Sequence, residues 1–172
     1  LLHQLGSCGK SYQREAKAAG RRVLSEMYSP PRVTAELQRM KHKHILPGFA
    51  LDLTMVDPED GLPWEFSKSG KREKARQMRR RQTPYLLIGS PECTAFSTWQ
   101  YLNEAKSINP QAFKEARRRA KAHIKFMAEL YQEQLEDGHY FLHEHPRYAT
   151  SWQLAGMQDL MDAPGVQMAH GD

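Results

Sequence analysis

The segment Leu86 to Ser97 joins an apolar strand pattern, Leu86-Leu87-Ile88, to a Gly-Ser-Pro turn and then to a thiol, Cys93, with Phe96-Ser97 just beyond. A tight loop after a strand is where α/β folds place their chemistry. A second segment, Phe141-Leu142-His143-Glu144-His145-Pro146, has the same form, with a carboxylate in place of the thiol. Cys93 and Glu144 therefore read as a nucleophile and an acid at two strand ends, facing one pocket. Such a thiol must ionise as it attacks, and nearby cations or a helix N-terminus would help it do so. The bland alternatives are a small buried cysteine and a salt-bridge carboxylate.

His143 and His145 flank Glu144 in an extended segment, so the three side chains do not share a face. Together with His42, His44 and Cys93, their spacing fits none of the strong zinc patterns, and no metal is expected. Asp52, Asp57 or Asp60, with Glu144, would suit two magnesium ions in a nuclease. That reading leaves the Cys93 segment unexplained.

The 172 residues suffice for one domain with a real core. No apolar run approaches the length of a membrane span, and no signal peptide is recognisable. Two cysteines, one of them (Cys8) in a polar start, argue against a disulfide scaffold and for an intracellular, reducing location, the nucleus included. Without an initiator methionine, and ending at His170-Gly171-Asp172, the chain reads as a piece of a longer one with other domains. The net charge is +5. Lys68 to Arg81 holds eight Lys/Arg against one Glu, and Lys114 to Lys125 holds six against one. Such clusters suit phosphate, and the triplets Arg79-Arg80-Arg81 and Arg117-Arg118-Arg119 favour DNA or RNA as partner. A solvated helix face is the competing explanation.

Elements that would position these groups follow from periodicity. Residues 1–20 form a polar lead-in, and 21–172 a single domain. Strands are expected at 22–28, 49–54, 85–89, 140–143 and 166–169. Helices are expected at 32–42, where Val33, Leu37 and Met40 form a stripe, at 71–81, at 110–136 and after Thr150 or Ser151; part of 96–105 is read as helical too. Trp64 and Phe66 should pin the loop around them. The alternation predicts an α/β domain with a mostly parallel, doubly wound Rossmann-like sheet and helices on both faces, truncated at its C-terminus.

In this order the elements resemble the catalytic half of the C5-cytosine DNA methyltransferases, a methyltransferase-type fold. Pro91-Glu92-Cys93-Thr94-Ala95-Phe96-Ser97 keeps that family's spacing from cysteine to Phe-Ser, with Glu92 at the proline position. His143-Glu144-His145-Pro146 looks like its Glu-Asn-Val motif, with Glu144 matched. The resemblance implies that Cys93 attacks C6 of a flipped cytosine while Glu144 assists at the ring's N3 edge. It also implies S-adenosylmethionine as methyl donor, with Glu26 and Asp52 in the cofactor-binding positions and Arg147 near phosphate. The family's glycine-rich cofactor loop falls on Ser29-Pro30-Pro31, where proline supplies no N–H. Two outcomes stay open: a divergent methyltransferase-like enzyme, or a non-catalytic nucleic-acid- or protein-binding module. The chain also looks like methyltransferase-like segments of mobile-element polyproteins.

Overall fold

A computed structural model describes residues 20, 22–97, 100 and 110–171. Strand β1 (Arg22–Met27) leads to helix α1 (Val33–Met40) and strand β2 (Ile45–Leu51). Helix α2 (Ser69–Gln82) precedes β3 (Leu86–Gly89), and α3 (Pro110–Glu136) precedes β4 (Tyr140–His143). A 3₁₀ turn at Thr150–Gln153 and helix α4 (Ala155–Met161) follow. The sheet order is β2-β1-β3-β4, and every pairing is parallel. All four strands therefore end at one edge. Consecutive crossovers leave β1 and β3 in opposite directions, which makes the gap between them the switch point.

Side-chain alternation assigns the helices to two faces. The Glu26 carboxylate reaches α1, whereas a Cβ on Gly89 would strike Tyr131 and Met127 of α3. A Cβ on Gly48, opposite Ser25 and Val23, would meet Gln82 at the end of α2. Helix α1 thus covers one face, and α2 with α3 the other. The expected helices on both faces are present, and so is the parallel sheet.

The core lies between the sheet and the α2–α3 layer. It is built from Met27, Leu87, Phe66, Phe126, Met127, Leu130 and Tyr131, among others. Ion pairs knit its rim. Arg79, 4% exposed, reaches Glu133 and Asp137, and its Nη1 donates to Gln134. Arg76 bridges Glu129 and Glu133. Trp64 and Phe66 are buried as expected. Their loop is clamped to α2 by Lys71 and Lys74, which converge on the buried Asp57. Burial would raise the Asp57 carboxyl, but the two ammonium groups hold it down at about 2.

Several expectations need correction. The second strand lies at Ile45–Leu51 rather than 49–54, because Pro47-Gly48 is not a turn. Register slips between Leu24 and Glu26, so this pair forms a bulge in an edge strand, where a missing N–H is tolerated. Residues 166–169 form no strand and join no ladder. The Val33-Leu37-Met40 stripe is not a core face. Val33 is 39% and Met40 60% exposed, and Thr34 is the buried residue of α1. Most of the lead-in, Cys8 included, and most of the expected 96–105 helix lie outside the described residues; just before that segment, Thr94–Phe96 is a 3₁₀ turn.

Candidate functional site

The loops after all four strands converge at the C-terminal edge, and β3 and β4 are neighbours in register, Gly89 beside His143. Glu144 extends that ladder by one step, its N–H donating to the Gly89 carbonyl at 3.0 Å. The two loops touch again farther out. Phe96 packs edge-on to His145 with ring centroids 6.1 Å apart, and the Thr150 hydroxyl donates to the Phe96 carbonyl. Cys93, half-buried and free of any disulfide, opens the 3₁₀ turn that this contact holds. Glu144 is exposed.

The pleat separates the His143-Glu144-His145 side chains as expected. His143 and His145 lie on the α3 side, stacked at 5.3 Å with an interplanar angle of 15°. Trp152 closes over both rings edge-on. The Tyr131 hydroxyl shares a hydrogen bond with His143 Nδ1 at 3.1 Å. Burial, then the neighbouring His145, pushes the His143 imidazole down to about 3, and burial lowers His145 as well. Parallel rings at this spacing do not aim their lone pairs at one point, so the pair is a packing device rather than a metal clamp. Among the described residues no group of three His, Cys, Asp or Glu could hold a metal ion.

A cleft of about 340 Å³ opens at this edge beside α3. Its walls are Leu53 and Glu65 after β2, Glu92, Thr94 and Ala95 after β3, and Phe113, Ala120 and His123 on α3. Its size is at the lower end of small-molecule sites. Tyr28 lies beneath His123: it follows β1 directly, holds a left-handed backbone (φ 55°), and bonds His123 Nδ1 at 2.9 Å. A non-glycine residue held there is strained by about 1 kcal/mol or more, and such strain gathers at functional sites. Burial raises the Tyr28 phenol and lowers the His123 imidazole, the latter against the pull of Glu65 and Glu92. Neither Cys93 nor Glu144 lines this cleft, although both residues next to Cys93 do.

The remaining sequence-derived candidates divide. Glu26 is 1% exposed, and its carboxylate accepts the backbone N–H groups of Val33 and Thr34 and the Thr34 hydroxyl, at 2.6 to 3.2 Å. It secures the N-terminus of α1. Asp52 follows β2 and accepts from Thr54 N–H in a local turn. Asp57 is engaged by two lysines, which removes it from a carboxylate metal site. Arg79 is buried in ion pairs rather than displayed, while Arg80 and Arg81 are exposed in the last turn of α2. That turn precedes β3, so the triplet lies at the sheet edge opposite Cys93 and Glu144. Arg147 is exposed, with its guanidinium over Tyr148.

Tyr28, Glu65 and His123 were not legible as a group. They stand 95 residues apart at the extremes, and no local pattern links them; Tyr28 reads in sequence as the last residue of the first strand, and only the structure places it just past that strand. Comparison with known proteins gave no match: no family model, no curated protein and no solved structure is similar to this chain.

Proposed function

We propose that this chain is a nucleic-acid-binding module on a sheet of C5-cytosine methyltransferase type, one that accepts a base at the switch-point edge without transferring a methyl group. The observation that carries this reading is the engagement of Glu26. The carboxylate that would meet S-adenosylmethionine already accepts three hydrogen bonds from the start of α1. Pro30 and Pro31 add no N–H donors there. The residues after β1 therefore do not fit that donor, and Asp52 alone does not replace them. Support for base binding comes from the neighbouring cleft, which has an aromatic wall in Phe113 and hydrogen-bonding groups in Thr94, Gln100, Glu92 and His123. Stacking with a few polar contacts is how proteins hold an unpaired base.

A catalytic reading is kept alive by one arrangement: a free, half-buried Cys93 and an exposed Glu144 at the ends of adjacent strands. If Cys93 adds to cytosine C6, C5 gains a solvent proton. Loss of the original H5 and expulsion of the thiolate then restore the ring. Incubating a cytosine oligonucleotide with the protein in D₂O and following deuterium at C5 tests this step without a methyl donor. Calorimetry with S-adenosylmethionine tests the other half. The proposal expects no exchange and no heat; exchange abolished by Cys93→Ala, or donor binding in the micromolar range, would replace it with the enzyme.

A further inference from the structure

Helix α3 is far longer than the strands it covers. Its 27 residues span about 40 Å, whereas the four residues of β3 span about 13 Å. Its buried positions begin at Ile124, so the turns before that residue overshoot the sheet at the Cys93–Glu144 edge. Phe113, Ala116, Ala120 and His123 recur there at helical spacing and form one wall of the cleft. The loops after β2 and β3 bring a carboxylate each, Glu65 and Glu92.

What each polar group can still bond follows from what already holds it. Burial raises the Tyr28 phenol and lowers the His123 imidazole, so both are neutral at pH 7. Among the described residues the phenol has no acceptor but His123 Nδ1, 2.9 Å away. Nδ1 therefore accepts, and the ring proton sits on Nε2 as a donor. Of the two carboxylates, Glu65 already accepts the Ser67 N–H. Glu92 is exposed, and its carboxylate accepts no hydrogen bond among the described residues, yet its charge acts on His123. It stands at the position where the C5-cytosine methyltransferases that the chain resembles carry proline. An N–H donor thus lies near an acceptor-only group with both oxygens uncommitted.

We propose that the cleft selects guanine: the Glu92 carboxylate takes N1–H and the N2 amine together, His123 Nε2–H donates to O6, and the ring lies against Phe113. The inference rests on the base-binding reading above and names the base, which is not the cytosine of the resemblance. Guanine is the one common base whose pairing edge sets two adjacent donors beside an acceptor. Cytosine offers one amine and two acceptors, adenine one amine beside an acceptor, and thymine or uracil one N–H between two acceptors. Each of these turns a lone pair towards the carboxylate, whereas guanine makes a bidentate, charge-assisted pair with it. Arg119 lines the same cleft and supplies a cation for the flanking phosphate.

The test is fluorescence anisotropy at 50 mM salt with labelled 11-nucleotide thymidine strands carrying one central guanine, hypoxanthine, adenine or cytosine. Hypoxanthine is guanine without the N2 amine. The wild type should bind the guanine strand about tenfold or more tightly than the other three. In E92Q the gap between guanine and hypoxanthine should shrink below threefold, because one amide oxygen replaces two carboxylate oxygens. E65Q should keep the gap. Circular dichroism melting checks that each variant is folded, and E92Q alters an exposed side chain. A guanine preference below threefold, a preference for cytosine, a gap unchanged in E92Q or a gap lost in E65Q would each overturn the guanine assignment. Ala120→Phe, which fills the cleft, separates the two readings. Strands that bind the wild type equally and weaken in Ala120→Phe leave a base pocket without selectivity, so guanine falls and the base reading stands. Strands that do not bind, or that bind Ala120→Phe as well as the wild type, overturn both.

Discussion

His143 offers the most direct check on the packing at the β4 end. Its imidazole is held neutral, down to about 3, by burial among Tyr131, His145 and Trp152. In the unfolded chain it returns to about 6.5. Between these values the unfolded state binds more protons than the folded one, so stability falls as pH drops below about 6.5 and continues to fall towards pH 3. At pH 5 the gap from the unfolded value is about 1.5 units, worth about 2 kcal/mol. His145 and His123 are lowered in the same direction and add to the loss, and ordinary carboxylates titrate nearby. The informative quantity is therefore the difference between the wild type and His143→Gln, whose amide keeps a partner for Tyr131 but takes no proton. Urea unfolding at pH 7.5, 6.0 and 5.0, followed by far-UV circular dichroism, measures it. The variant should lose about 2 kcal/mol less than the wild type between pH 7.5 and 5.0. Parallel pH profiles for the two proteins would refute a buried neutral imidazole and the packing that produces it.

Other substitutions test separate joints of the fold by urea unfolding at neutral pH. Gly89→Ala places a Cβ 2.2 Å from the Tyr131 hydroxyl and 2.5 Å from Met127 Cε; it should cost about 1–3 kcal/mol by overpacking, and a neutral effect would mean that α3 yields there. Glu26→Ala strips the N-terminus of α1 of a charged acceptor and should cost about 1.5–3 kcal/mol. Calorimetry on folded Glu26→Ala should still show no S-adenosylmethionine binding. Arg79→Ala takes from Glu133 one of its two arginine partners and removes the donor to Gln134 Oε1, and should cost about 1–3 kcal/mol without weakening oligonucleotide binding. A loss of binding with unchanged stability would return Arg79 to the nucleic-acid surface.

Strong local patterns transferred directly from sequence to structure. The apolar stripe from Ile124 to Leu135, with Asp137-Gly138 after it, marked the longest helix, and Gly138 indeed turns with φ 72°. Leu86-Leu87-Ile88 and Tyr140 to His143 marked two strands because short β segments there are bounded by turn residues. Alternation along His143-Glu144-His145 fixed which side chains share a face, since the pleat has a period of two. These features depend on neighbours in the chain, so the chain alone reports them.

What the fold decided was everything set by distant partners. Pro47-Gly48 reads locally as a turn, yet β1 pairs across it and makes it a bulge. Arg79 reads like Arg80 and Arg81, yet Glu133, Gln134 and Asp137 on α3 bury it. Glu26 reads as a candidate cofactor ligand, yet the first turn of α1 folds back onto it. The cleft between Glu65, Glu92 and His123 exists because a 27-residue helix overshoots a four-residue strand. Periodicity carries the direction in which a side chain points; the charge or cavity it meets there is set by segments tens of residues away, and only the assembled sheet brings them together.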